Sequence, residues 1–360
     1  VRLLEQAILL EPGNRRALAA LAALAEARGD GAALCRHLLR LVELAREPAE
    51  KSALLERLAR GARDVAGDLE LAPDALGRAL GLLPDNLAAR AELCALQRRR
   101  GDEAALAAAL TGYAAALEAE GEFPAAASAL RELAGLDARR LGKSELALEQ
   151  LEHALVLAPE DPETLLDLGD LSLAMARPAA AREAFRSLLS GLAPGTAPER
   201  VVDLKLRLAR ASDALGEREE AISAYSAAFA SRPGDDAVGD RLDVLLAEAD
   251  RPRERAAARL SRAAAKREAG LGVAAALHFR AAGELFEKLG EKRSARSAFE
   301  CCLEADPDGP QAPAALDALA EAALAGREER CACELLARRA AFEADPRAAA
   351  RLLYKAAGLA

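Results

Sequence analysis

The sequence predicts an all-α fold, an array of about 20 helices stacked as antiparallel hairpins. Three observations support this: a composition rich in helix-forming residues, apolar residues at helical spacing, and an internal repeat marked by proline and glycine. The chain is 52% hydrophobic, mostly through alanine and leucine, and only 3% aromatic. Alanine, leucine, arginine and glutamate all favour helices. We find no alternating apolar pattern of the kind that predicts strands.

Prolines recur at one position of the repeat, at intervals of 72, 75, 74 and 74 residues: Pro12, Pro84, Pro159, Pro233 and Pro307. A glycine lies 17 residues before each of the last four, at Gly67, Gly142, Gly216 and Gly290. Proline cannot continue a helix and glycine often ends one, so both should lie between helices.

Two further series divide each repeat. One falls at Gly29, Gly101, Arg177, Asp250 and Gly326, and the other at Pro48, Pro124, Pro198 and Gly272. Each repeat therefore predicts four helices, or two hairpins. Between these marks apolar residues follow the helical period, as at Leu18, Leu21 and Ala25. Pro73 falls inside one predicted helix, and we expect it in the first turn, where its missing N–H costs little.

Some hairpins carry a fuller signature. The best copy has Phe279, Ala282-Gly283, Phe286, Ala295-x3-Phe299 and Pro307, and others have Leu168-Gly169 with Ala181-x3-Phe185, or Ala221-x3-Tyr225 with Pro233. This order resembles the tetratricopeptide repeat (TPR) of roughly 34 residues, although no copy has the family's tryptophan and alternate hairpins are longer. The resemblance implies an α-solenoid, a right-handed superhelix whose concave face is lined by the first helix of each hairpin.

The repeat spans residues 1–360, so we expect one continuous array. Because Val1 opens inside a helical pattern, we interpret the chain as a segment of a longer protein. That interpretation leaves open a leader that precedes the segment. The longest uncharged run, Ala104 to Leu117, is shorter than the roughly 20 apolar residues that cross a bilayer. Cysteine usage without a CxxC or a disulfide framework predicts a reducing, cytoplasmic location.

The charge balance bears on the kind of partner. The net charge is -9, the pI is about 5.2 and tryptophan is absent. A general nucleic-acid binder needs a basic face for phosphates and often aromatic residues for base stacking. We therefore expect no nucleic-acid partner.

The stretch ECCLEADPDG, residues 300–309, raises the possibility of a zinc or redox site. Its Cys302 aligns with the small residues Ala79, Ala154 and Ala228 of equivalent helices, which predicts a packing role. Cys94 falls at the small position after a leucine, like Gly169 and Gly283, and Cys331 falls at the alanine of the Ala-x3-Phe signature. Cys35, Cys301 and Cys333 are unassigned. The acids of the turn should cap the next helix.

Other catalytic or metal chemistry is not predicted. The histidines, His37, His153 and His278, have no metal-ligand spacing and should serve packing or surface roles. The RGD string at Gly101 lies at a helix end and reads as a turn. We expect no catalytic residue, no cofactor and no metal.

The family resemblance implies a non-catalytic protein–protein interaction scaffold that binds a protein or peptide on its concave face. The alternative is a recognition arm of a multidomain enzyme, such as a kinase or peptidase, whose catalytic domain lies outside the segment; a sensor arm for a small peptide is a third possibility. Counting along the repeat places Arg98, Arg99, Arg139 and Arg140 near the ends of two consecutive first helices. These arginines are the predicted binding patch for an acidic segment or a C-terminal carboxylate. A plainer explanation is that they complement helix dipoles.

Overall fold

The computed structural model describes residues 1–359. It contains twenty α-helices and no strand within those residues. The helices are α1 Arg2–Leu10, α2 Arg15–Arg28, α3 Gly31–Leu44, α4 Pro48–Gly61, α5 Leu71–Leu82, α6 Leu87–Arg100, α7 Glu103–Ala119, α8 Phe123–Arg139, α9 Ser144–Leu157, α10 Pro162–Ala174, α11 Pro178–Ser190, α12 Pro198–Ala214, α13 Arg218–Ser231, α14 Asp236–Glu248, α15 Pro252–Glu268, α16 Gly272–Lys288, α17 Lys292–Ala305, α18 Ala312–Ala325, α19 Glu329–Ala340 and α20 Pro346–Ala357. A π-helical turn, Ala62–Ala66, extends α4.

The chain forms two compact units, Val1–Gly191 and Leu192–Ala360. Within each unit every helix packs against the next one in sequence, which gives stacked antiparallel hairpins. The first helix of each hairpin is even-numbered and the second is odd-numbered; we call them A and B helices. A helices also contact the next A helix, as α8 contacts α10 and α16 contacts α18. The all-α hairpin prediction is confirmed.

The repeat of about 74 residues is visible in helix boundaries and in ion pairs. α9, α13 and α17 each have 14 residues and begin at Ser144, Arg218 and Lys292, so their starts are 74 residues apart. Two exposed ion pairs join successive B helices at the same spacing: Arg177–Glu145 and Arg251–Glu219, both at 2.5 Å. Equivalent residues therefore occupy equivalent places in successive copies.

The predicted boundaries are largely confirmed. Gly67, Gly142, Gly216 and Gly290 all have positive φ, where glycine avoids the strain that a side chain would meet. Pro48, Pro124 and Pro198 lie in first turns, as does Pro73. The predicted series of turns at Gly29, Gly101, Arg177, Asp250 and Gly326 differs from the structure at two positions. The left-handed residues there are Ala176 and Arg327, one residue away from the predicted Arg177 and Gly326.

Small residues allow close packing between helices. The Ala-Gly and Leu-Gly signatures place a glycine of an A helix against a phenyl ring of its B helix: Gly169 faces Phe185, and Gly283 faces Phe299. Both rings are buried. Since neither hairpin can cover its apolar faces alone, stacking within each unit completes the core.

The turn acids behave as predicted in several repeats. Asp161 and Asp235 accept hydrogen bonds from the backbone N–H of the third residue of α10 and α14, at 2.9 and 3.2 Å. The prediction is wrong for ECCLEADPDG, because α18 begins only at Ala312 and its N-cap, Gln311, makes no side-chain cap hydrogen bond. Asp306 instead folds over Gly309, which has no Cβ to exclude the carboxylate.

Candidate partner-binding groove

Three A helices of the first unit frame an open groove of about 590 Å³. We call it the α6–α8–α10 groove. Its lining residues are Arg98, Leu106, Ser128, Arg131, Glu132, Gly135, Leu136, Arg139, Arg140 and Asp167. Four arginines oppose two carboxylates, so the groove is cationic in a chain of net charge -9. Gly135 contributes to its width, since a Cβ built there would meet no atom within 4 Å.

Arg98 lies in the last turn of α6 and reaches across to α8. Its Nη2 donates to both carboxylate oxygens of Glu132, at 2.8 and 2.9 Å, and its Nε donates to one of them at 3.0 Å. Both side chains are exposed, so the pair adds little to folding stability. It does hold one guanidinium at the edge of the groove.

Arg139 and Arg140 lie together at the end of α8. Arg140 is 3.4 Å from Glu103, and both groups are exposed. Within residues 1–359, Arg139 forms no hydrogen bond and no ion pair within 4 Å, and it attracts Asp167 over a longer distance. Arg139 therefore presents a guanidinium whose donors are open to an incoming group.

Asp167 projects from α10 into the same groove. It also lines a second cavity of about 290 Å³ that shares Gly135 and Arg139. Burial raises the pKa of Asp167, and the cations Arg131 and Arg139 partly offset that rise. An anion that approached Arg139 would meet this like charge, so Asp167 should weaken its binding.

Arg99 lies outside this groove, although it is the neighbour of Arg98. Successive residues of an α-helix point about 100° apart, so adjacent side chains cannot face one groove equally. Arg99 is close enough to Asp64 to contribute to lowering the pKa of that carboxyl, after the larger effect of the Arg63 hydrogen bond. The structure thus brings Arg98, Arg139 and Arg140 together and separates Arg99.

Sequence reasoning did not include Arg131, Glu132 and Asp167. Arg131 is 3.5 Å from Glu163 of α10, and Glu132 holds Arg98. The sequence did contain a signal that could have revealed Arg131 and Glu132, namely the spacing between opposite charges. Arg98–Glu132 and Arg131–Glu163 are 34 and 32 residues apart, which is close to the 36 and 39 residues between the starts of successive A helices at Leu87, Phe123 and Pro162. Opposite charges at that spacing on A helices mark neighbouring positions on one face.

The cysteines are free thiols. Cys302 is 0% exposed, and its equivalents Ala79, Ala154 and Ala228 are at most 1% exposed. Burial raises the pKa of the Cys302 thiol to about 11. The packing interpretation of Cys302 is therefore confirmed. Cys331 was assigned one residue too early: Ala332 and Leu336 are the buried pair of α19, whereas Cys331 is half-buried beside a groove. Cys35 is buried; Cys301 and Cys333 are half-buried.

The remaining candidates behave as structural residues. Gly101 ends α6 with a left-handed φ of 72° and Asp102 caps α7, so the RGD string is a helix boundary. His278 is buried, and its pKa is lowered to about 4, first by burial and then by Arg262 and Arg259. Residues 1–359 contain no group of three or more His, Cys, Asp or Glu side chains able to hold a metal ion. In the same residues, every helix is too short or too polar to span a bilayer.

Comparison with known proteins gives likeness of architecture alone. No family model and no curated protein matches the chain. A TPR protein from Parabacteroides merdae is 19% identical, with 85% of this chain and 98% of that chain covered and a TM-score of 0.35. TTC0263, a thermophilic TPR protein of Thermus thermophilus, is 20% identical, with 65% and 98% covered and a TM-score of 0.24.

YrrB, described as a TPR protein with an unusual peptide-binding site, is 17% identical, with 52% of this chain and 91% of that chain covered and a TM-score of 0.34. Within each of its units the chain is a helical repeat of stacked antiparallel hairpins. At these identities and TM-scores, the partner of the chain has to be inferred from its own residues.

Proposed function

We propose that this TPR-like array is a non-catalytic scaffold that binds a protein or peptide in the α6–α8–α10 groove. The observation that carries the proposal is Arg139, a guanidinium that has no ion-pair partner within 4 Å among residues 1–359, in a groove that three other arginines line. Repeat arrays expose such extended surfaces between neighbouring hairpins.

The chemistry of the groove favours an acidic segment or a C-terminal carboxylate. A guanidinium presents donors in a planar fork that matches a carboxylate in a two-pronged way. No described side chain occupies this fork in Arg139, and Arg140 contacts Glu103 only through an exposed ion pair of 3.4 Å. Carboxylates on neighbouring residues of a partner would therefore find two cations at the end of α8.

A matched pair of variants tests the proposal. Arg139→Gln removes the open guanidinium, and Arg99→Gln removes an equivalent cation from the last turn of α6, outside the groove. A fluorescent six-residue peptide of alternating Asp and Ala with a free C-terminus serves as the probe. We expect Arg139→Gln to weaken its binding roughly tenfold, as for one charge-assisted contact, and Arg99→Gln to change it by less than about twofold.

The same pair separates binding from a helix-end role. If the arginines only complement helix dipoles, both variants should lower the melting temperature by similar small amounts and leave peptide binding equal. Asp167→Asn provides a gain-of-function check, because removal of the like charge should tighten binding of the acidic peptide. Unchanged anisotropy titrations for both Arg139→Gln and Asp167→Asn would refute the proposal.

A further inference from the structure

The second unit carries three grooves on its B-helix side, each between consecutive B helices and each with an A helix as its floor. The α13–α15 groove has about 410 Å³, the α15–α17 groove about 560 Å³, and the α17–α19 groove about 290 Å³. They are equivalent places in successive hairpins, so differences between them reflect local sequence and not the fold.

The charges of the lining residues distinguish the three grooves. Glu254 lines the α13–α15 groove, and Glu300 and Glu304 line the α17–α19 groove beside Arg296 and Arg338. The α15–α17 groove has Arg267 and Arg293 on its rim and no carboxylate among its lining residues. A groove lined by cations and by no carboxylate is unusual in a chain with 58 acidic and 49 basic residues.

The floor of the α15–α17 groove is apolar and aromatic. Phe279 and Phe286 of α16 line it, and Leu260 of α15 lies beside them. The Arg267 guanidinium carbon stands 5.4 Å from the centre of the Phe279 ring. Arg267 is also 3.7 Å from Glu304, but both of those side chains are largely exposed and the pair is weak.

Arg293 is the less expected of the two cations. Glu145 and Glu219 occupy its position in the two preceding copies, and each pairs with an arginine at the N-cap of a following B helix. In the third copy that N-cap residue is Glu328, which pairs with Arg296 at 2.9 Å. Arg293 is therefore exposed and, within residues 1–359, has no hydrogen bond or ion pair.

We propose that the α15–α17 groove binds a short acidic peptide segment that carries an aromatic or large aliphatic side chain. That side chain packs over Phe279 and Phe286, and flanking carboxylates pair with Arg267 and Arg293. The two features together favour such a peptide, because an apolar floor rewards burial of a side chain and a cationic rim selects acidic flanks. The proposal is independent of the α6–α8–α10 groove, which lies in the other unit.

Cys301 supplies a direct readout, since its half-buried thiol lines this groove. Cys331 is an internal control, because it is also half-buried but lines the α17–α19 groove. The probe is the peptide acetyl-Asp-Glu-Phe-Leu-Asp-Glu-amide. The full chain is treated with N-ethylmaleimide, and the modification rate of each cysteine is read by peptide-mapping mass spectrometry. We expect saturating peptide to slow modification of Cys301 at least about fivefold and to leave Cys331 within about twofold.

Variants locate the contacts. Ser297→Glu puts a carboxylate into the α15–α17 groove, and Ser261→Glu puts one into the α13–α15 groove as a matched control; both serines are exposed. Ser297→Glu and the double variant Arg267→Gln/Arg293→Gln should weaken protection about tenfold, and Ser261→Glu should not. Glu304→Gln should strengthen protection, because it releases Arg267. Arg139→Gln should have no effect, which separates this proposal from the preceding one.

Each contrary result overturns the inference. These are no protection of Cys301 at millimolar peptide, equal protection of Cys331, or equal protection by a peptide in which lysine replaces the four acids. Protection by inorganic phosphate alone would reveal an anion site without peptide recognition and would also overturn it. Retained protection in the double arginine variant, with unchanged helicity and melting, would show that the two arginines do not recognise the acidic flanks of the peptide and would overturn the inference.

Discussion

Substitution of Gly169 by alanine tests the close packing that the hairpin signature predicts. An ideal Cβ at Gly169 would lie 2.6 Å from Cζ and 3.0 Å from Cδ1 of Phe185, well inside van der Waals contact. Phe185 is 0% exposed, so the ring cannot swing into solvent. Overpacking of this kind costs about 1–3 kcal/mol, and alanine recovers about 1 kcal/mol of helix propensity. We expect a net loss of about 1 kcal/mol in the free energy of unfolding.

Gly77→Ala is the matched control in the same unit. Gly77 lies inside α5, and a Cβ there would meet no atom within 4 Å. Only the propensity gain remains, so this variant should be stabilised by about 0.8–1 kcal/mol. Urea unfolding followed by circular dichroism should separate the two variants by about 2 kcal/mol with unchanged slopes. Equal stabilisation by both substitutions would refute the claim that glycine is required beneath the Phe185 ring.

Three smaller predictions follow from other sites. Cys302→Ala should cost at most about 1 kcal/mol, because alanine fills the equivalent buried positions; a loss above about 2 kcal/mol on urea unfolding would assign the thiol a further role. Ala176→Gly should raise the melting temperature slightly, since φ is 55° there and release of left-handed strain outweighs the added freedom of the unfolded chain; a lower melting temperature would contradict this. Hydrogen bonds from Lys266 and Arg262 lower the pKa of Asp236 from 3.8 to about 2. Its contribution to stability should therefore be present above pH 3.8 and be lost as the pH falls towards 2, and Asp236→Asn should flatten that part of the stability profile.

Much of the fold was predictable because proline and glycine act locally. The missing N–H of proline and the positive φ of Gly142 or Gly216 act through the chain's own backbone, whatever packs around it. The turns at Ala176 and Arg327 were not predicted, because neither residue is a glycine or a proline. Both residues occupy left-handed turns without being glycine, so the sequence carries no local mark at those residues.

The side-chain assignments depended on rotation about the helix axis, which is harder to predict. In α19 the adjacent small residues Cys331 and Ala332 both satisfy an Ala-x3-large spacing, and only the packed hairpin distinguishes them. The same one-residue ambiguity separates Arg98 from Arg99. Counting along the repeat placed both on the correct helix end, but one residue is about 100° around a helix, enough to move a side chain out of a groove.

The α15–α17 groove illustrates a different kind of signal, which lies in a departure from the repeat. An exposed charge that recurs with its partner, as in Glu145–Arg177 and Glu219–Arg251, is explained by the packing of successive B helices. Arg293 breaks that series and has no ion-pair partner in the described part of the chain, where it lies beside aromatic residues, so the same explanation does not cover it. In a repeat protein the repeating positions chiefly specify the fold, because every copy must solve the same packing problem. Exposed positions that differ between copies are free of that constraint, and those beside a groove are the best candidates for partner recognition.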